Sequence, residues 1–382
     1  MTKKSSNKKK SGLRRFLLFL FVFLLVLGCY FTYQFGYRGN HEPETTATST
    51  NTDPLYPFDK FKHKLNKYKD LYRSAITYNK GERQNGTYVI PGLKSTKTLT
   101  NNKAKGPSIC TSMTPQGIAV SKDYIFTSAY CHTGKHNSVV YMIDKVTHKF
   151  IKEIILPGKP HVGSISYDQQ FDNLWVCGSH KDLAQANALS IESIRNYNFS
   201  DAHKPIKYLH ENNLLEIPKS SFMSYFNEKL YLGYFNKTED GLIKKYRIED
   251  DGDIYKVKVK YGDTTGESGV AVDSATIFSA AQGMAFYKDK LFLTQSLGIL
   301  PSNLALFQNR EDTRNFKEDS SVDSFLFPSM LEQVCIYEDD LYFIFESGAY
   351  AYRGRPGFSA DRILKADISE LNKIVEEEPK SE

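Results

Sequence analysis

The chain predicts an all-β fold, a β-propeller in which five four-stranded sheets repeat about one axis. Three observations predict it. Short alternating strands open at Gln116, Ser221, Gln282 and Glu332, and an aliphatic residue opens a second strand nine positions later, at Ile125, Leu230, Leu291 and Leu341. A looser fifth copy runs from Gly163 to Leu174 with two extra residues. Positions two and four after each opening are apolar or aromatic, as in Ile118 and Val120 or Met284 and Phe286, and the residue between them is small: Ala119, Ser166, Ser224, Ala285 and Cys335. Period-two alternation denotes a strand, and its return every ~45–60 residues denotes stacked repeats. Small residues suit the narrow axial side of each sheet, while an aromatic content of 13% fills the wide outer wedge.

The amino-terminal elements are of another kind. Phe16 to Phe35 is an uncharged apolar stretch of 20 residues, long enough to cross ~30 Å of hydrocarbon as a helix. Seven Lys and Arg residues precede it and none lies between Arg38 and Lys60 after it. The positive-inside rule therefore keeps residues 1–15 in the cytoplasm and places the bulk of the chain outside, with residues 16–37 as a single-pass signal anchor. The run Leu25-Val26-Leu27-Gly28-Cys29 leaves a second reading open, a bacterial lipoprotein anchored through Cys29, although aromatic residues continue past it. Residues 38–57, polar and rich in Thr and Pro, read as a flexible stalk. Residues 58–80 carry Phe58, Phe61, Leu65, Tyr68, Leu71, Tyr72 and Ala75 at helical spacing and read as an amphipathic helix packed on the body.

The propeller itself is expected over residues 84–371, followed by an acidic disordered tail at 372–382. The first blade reads as strands at 116–121, 124–129, 138–144 and 149–156. In the third, 243–248 and 254–261 are joined through Asp250-Asp251-Gly252-Asp253, a hairpin signal. The fourth places outer strands at 304–307 and 324–327, and the fifth at 350–353 and 362–368. Residues 181–200 break the pattern and include a short helix. The strand at Thr87–Leu93 pairs with the last blade and hides the sheet edge, giving five blades, or six if residues 69–109 contribute more than this closing strand.

Charge and cysteine usage limit the function. Without the seven amino-terminal cations, 43 Lys and Arg face 44 Asp and Glu, so the body has no field to attract nucleic acid. Cys110 and Cys131 lie 21 residues apart around the first strand pair, and both a disulfide and two free thiols fit that placement. Cys177 and Cys335 read as buried thiols. No ligand spacing indicates a zinc site, so no metal is expected. The adjacent Cys131-His132 would project to opposite faces of a strand, which argues against a thiol–imidazole dyad. Arg353, Arg355 and Arg362 gather near Pro356 and Gly357 in what reads as a solvated loop, with a carboxylate or phosphate contact as the functional alternative.

Pro115-Gln116-Gly117-Ile118-Ala119, the turn Asp144-Lys145-Val146-Thr147-His148-Lys149, Pro160-His161-Val162-Gly163 and Ala281-Gln282-Gly283-Met284-Ala285 together resemble the bacterial extracytoplasmic β-propellers of the YncE, NHL and SMP-30-like kind. The resemblance spans roughly residues 110–370 and implies either a ligand- or protein-binding scaffold at the cell surface or a hydrolase of lactonase, esterase or glycosidase type. The lactonase branch is similar in holding a central calcium through several carboxylates. Here Glu332 is the lone carboxylate among the strand openings, so calcium would be weakly held at best and no cofactor is expected.

Openings of innermost strands converge at one end of a propeller axis. Gln116, His161, Ser221, Gln282 and Glu332 are therefore expected to line a polar funnel for an unknown extracellular ligand. Catalysis there would use Glu332 with His161 as an acid/base pair.

Overall fold

The computed structural model describes residues 3–102, 106–180, 183–261, 264–355 and 357–371, with side chains left out at 3–14, 261 and 264. The expected acidic tail at 372–382, the side chains of the basic tail before Arg15, and Pro356 lie outside the described residues.

Five sheets surround one axis. From the axis outward, the first blade comprises Met113–Val120, Tyr124–Cys131, Val139–Asp144 and Phe150–Ile155. The second comprises Ile165–Asp168, Asn173–His180, Leu183–Ser190 and His210–Leu214, with the short helix Ile191–Asn196 between its last two strands. The third comprises Phe222–Phe226, Lys229–Tyr234, Gly241–Arg247 and Ala271–Ile277, and the fourth Ala281–Tyr287, Lys290–Gln295, Ser302–Gln308 and Asp323–Phe327. The fifth comprises Leu331–Tyr337, Asp340–Phe345 and Arg362–Asp367, completed by Tyr88–Val89 from the other end of the chain. Tyr88 pairs with Ile363 and Val89 with Arg362, so both chain ends share one sheet and the ring has no open edge there. The innermost strands touch in succession from the first blade through the fifth and back to the first.

The core lies between blades. Phe126, Val140 and Ile154 of the first blade pack against Ile165, Leu174 and Val176 of the second. Trp175, fully buried, packs toward Met223, Leu230 and Leu232 of the third.

Two strand expectations are corrected. Residues 254–261 are not the fourth strand of the third blade, which is Ala271–Ile277. Lys256–Tyr261 instead pairs with Thr264–Gly269, and this hairpin extends the second blade through Leu214 and Gly269. The chain does reverse at 250–253 as the turn residues predict, yet Asp253 is tied elsewhere. Its carboxylate accepts from Asn212 at 2.7 Å and lies 3.4 Å from His210 and 2.7 Å from Lys256, which draws the chain to the second blade. Tyr350–Arg353 forms turns rather than a strand, because the closing strand from the amino terminus already occupies the outer edge.

The amino-terminal apolar helix, Arg15–Asn40, is long and apolar enough to cross a membrane. The stretch expected as a flexible stalk instead lies on the propeller. Asn51 N donates to Ser95 O at 2.8 Å, Thr50 Oγ1 donates to Glu153 at 2.9 Å, and the backbone N–H groups of Leu55 and Tyr56 donate to Asp361 at 2.6 and 3.0 Å. Its polar composition serves hydrogen bonding to the body, a role composition alone does not separate from solvation. Phe58–Leu65 and the helical turns at 69–77 bury Phe61, Leu65, Leu71 and Ile76 against Phe327, Phe343 and Leu364 of the last two blades.

The arginine loop is also structural. Arg355 Nε donates to Gln34 O at 2.8 Å and its guanidinium lies 4.6 Å from the Phe35 ring, while Arg38 donates to Arg353 O. Arg362 is buried in an ion pair with Asp361 at 2.6 Å. None of the three forms a solvated loop, and two of them bind the end of the apolar helix.

Candidate functional site

The starts of the inner strands and the ends of the second strands meet at one end of the axis, around a cavity of about 590 Å³. Gln116, His161, Ser221, Gln282 and Glu332 all line it, together with Tyr130, Lys219, Glu346 and Tyr352. The five residues come from all five blades. Ser221, Gln282 and Glu332 stand within a residue of the start of their inner strands. Gln116 lies three residues inside Met113–Val120, at a register shift, rather than opening it, and His161 precedes a strand that opens at Ile165 rather than at Gly163.

Gln116 and Glu332 are buried, Ser221, Gln282 and Glu346 are half-buried, and His161 is exposed to the cavity. Gln116 Nε2 donates to Glu346 Oε2 at 3.1 Å, linking the first blade to the fifth. The Glu332 and Glu346 carboxyls are hydrogen-bonded to each other. Burial and the neighbouring Glu346 push Glu332 well above the usual carboxylate range. Burial also raises Glu346, to about 7, against the opposing hydrogen bonds from Gln116 and Glu332. Two carboxyls in contact and shielded from water cannot both ionise cheaply, so the pair favours a shared proton and can both donate and accept.

The His161 ring lies tilted against Tyr130, with centroids 4.3 Å apart. Crowding by protein, with His132 and Lys219 nearby, lowers its pKa, although the ring keeps solvent contact. Ser221 Oγ accepts from Phe235 N at 3.1 Å and so braces its own blade as well as the cavity wall. Glu346, the second carboxyl, carries no repeat signal in the sequence because it follows the second strand of its repeat rather than opening the first.

The thiols lie away from this cavity, apart from Cys177, a buried thiol in its wall. Cys110 and Cys131 are free thiols in the structure, in contact with each other. The imidazole beside Cys131 is that of His136, at 3.5 Å, whereas the adjacent His132 meets the Tyr352 ring edge-on.

No protein-family model and no curated protein matches the chain. Among solved structures it is similar to the Kuenenia stuttgartiensis hydrazine synthase, at 12% identity over 60% of this chain with a TM-score of 0.34. The chain spans 55% of that protein. It is also similar to a nidogen/laminin complex, at 10% identity over 68% of this chain and 86% of that one with a TM-score of 0.34. A putative oxidoreductase (glucose dehydrogenase) from Thermus thermophilus shows 13% identity over 73% of this chain and 98% of that one, with a TM-score of 0.35.

Proposed function

We propose that this protein is a membrane-anchored β-propeller that binds a small polar ligand in its axial cavity, on the outer side of a bacterial membrane. The observation that carries this reading is the adjacent carboxyl pair Glu332 and Glu346, tied to Gln116, facing a cavity large enough for a small molecule. Around it, Gln116, Gln282, Tyr130 and Tyr352 offer amide and hydroxyl groups, and the two Tyr rings offer flat apolar surface. That combination suits a hydroxyl- or amine-bearing ligand such as a sugar.

A hydrolase is the second reading, favoured by the same two carboxyls. Glycosidases hold their carboxyls ~5 Å or more apart, so a hydrogen-bonded pair argues against that type and leaves acid/base chemistry with a shared proton. Melting curves of the full chain in detergent, with glucose, glucosamine and putrescine as probes, test the binding reading. At least one probe should raise the melting temperature of the wild type and leave Glu346→Gln unmoved. Equal responses from both proteins to every probe would reject it. Turnover of aryl esters or aryl glycosides, lost in Glu346→Gln, would replace binding with hydrolysis.

The seven cations before the apolar helix support an inward amino terminus. Intact-mass measurement should find residues 1–28 retained. A chain that begins at a lipidated Cys29 would establish the lipoprotein anchor instead.

A further inference from the structure

Where the chain leaves the apolar helix, four side chains from separate segments turn their donor atoms toward a common point. Glu42 follows the helix by two residues, Cys110 ends the strand Pro107–Cys110, Cys131 ends Tyr124–Cys131, and His136 lies in the loop beyond. Their ligand atoms all lie within 4.8 Å of one another. Cys131 Sγ is 3.3 Å from Glu42 Oε1 and 3.5 Å from His136 Nδ1, and His136 Nδ1 is 3.4 Å from Glu42 Oε1.

Those three separations match the edges of a coordination tetrahedron. Zinc bonds of about 2.0–2.3 Å to nitrogen, oxygen and sulfur place tetrahedral ligands about 3.3–3.8 Å apart. Cys110, Cys131 and His136 are buried, and the Glu42 side chain is 13% exposed, so the cluster is shielded from competing water. Outer contacts orient the donors as metal sites require. Ser108 Oγ lies 3.3 Å from His136 Nε2, which leaves Nδ1 facing the centre. Ser112 N donates to Cys110 Sγ at 3.4 Å, and Thr133 Oγ1 donates to Glu42 Oε1.

The geometry points to a structural transition-metal site formed by Glu42, Cys110, Cys131 and His136, with zinc as the fitting ion. Two thiolates, one imidazole and one carboxylate make a borderline donor set that suits zinc better than the sulfur-seeking Cu(I) or the oxygen-seeking Mg²⁺ and Ca²⁺. Four protein ligands fill a tetrahedron and leave no open position, the mark of a structural site. The ion would clamp the segment emerging from the apolar helix onto the first blade, where Thr111 Oγ1 already donates to Pro43 O at 2.8 Å.

The test uses the full chain in detergent, reduced with a phosphine and dialysed against zinc, then measured by elemental mass spectrometry. The expected result is about one zinc per chain in the wild type and loss of most of it in Cys131→Ser and His136→Gln. Cobalt in place of zinc should give a thiolate-to-metal charge-transfer band, a readout that does not depend on any variant folding. Wild-type chain holding less than about a tenth of an equivalent of zinc overturns the proposal. So does zinc retained in Cys131→Ser, or cobalt bound without a thiolate band. A Cys110–Cys131 disulfide that resists reduction in the folded chain overturns it as well.

Discussion

Gln333 in the fifth blade holds the backbone of Ile165 in the second, reaching past the first blade across the axis. Gln333 Nε2 donates to Ile165 O at 2.7 Å, and its Oε1 accepts from Ile165 N at 3.1 Å. The same Oε1 accepts from Ile118 N at 2.8 Å, and Nε2 reaches Met223 O at 3.5 Å. One buried amide thus satisfies backbone groups from three other blades, directly beside the Glu332 that faces the cavity.

Gln333→Leu keeps similar volume but strands Ile118 N, Ile165 N and Ile165 O in the buried axis, while Met223 O keeps the Ser164 hydroxyl at 3.2 Å. Each buried unpaired group costs about 1–3 kcal/mol, so a loss of about 3–9 kcal/mol is expected in denaturant unfolding. A loss below about 1 kcal/mol would mean that water replaces the amide.

Glu332 carries a pH signature. Its folded-state pKa is raised by burial and by Glu346, whereas the unfolded carboxyl titrates near its ordinary value of about 4.3. Above that value the folded state keeps a proton the unfolded state has shed, so this pair's contribution to stability falls as pH rises. Glu332→Gln should therefore leave stability nearly unchanged at pH 4 and increase it at pH 8. Melting temperature against pH for both proteins checks the sign.

Asp361 fastens the extended amino-terminal segment. Fully buried, it pairs with Arg362 at 2.6 Å and accepts from the backbone of Leu55 and Tyr56. Asp361→Ala leaves the Arg362 cation buried without its partner, and a loss of about 3–5 kcal/mol is expected. Hydrogen exchange should show residues 50–57 opening in the variant while the inner strands of the first three blades stay protected.

Gly283 lets the fourth blade approach the fifth. A Cβ there would lie 2.8 Å from Glu332 O and 2.9 Å from Gln333 Cα, both backbone atoms that cannot rotate away. Gly283→Ala should cost about 1–3 kcal/mol and weaken ligand binding at the cavity together with stability. Unfolding and melting-shift measurements on the same variant test both effects.

The sequence by itself determined the repeat, because alternation of small, apolar and polar residues decides which side of a strand is buried wherever that strand is placed. It also placed the inner strand of each repeat to within a few residues, and the cavity at one end of the axis is lined by Gln116, His161, Ser221, Gln282 and Glu332, although the first inner strand opens at Met113 and the second at Ile165. It determined the apolar helix through length and composition alone. Tertiary structure decided what depends on contacts between distant segments. Glu346 became the partner of Glu332, Asp253 drew its hairpin to the second blade, and Glu42 joined Cys110, Cys131 and His136. Local pattern encodes the burial of a side chain, but the identity of its neighbour follows from how the sheets pack, and spacing along the chain carries no measure of that distance.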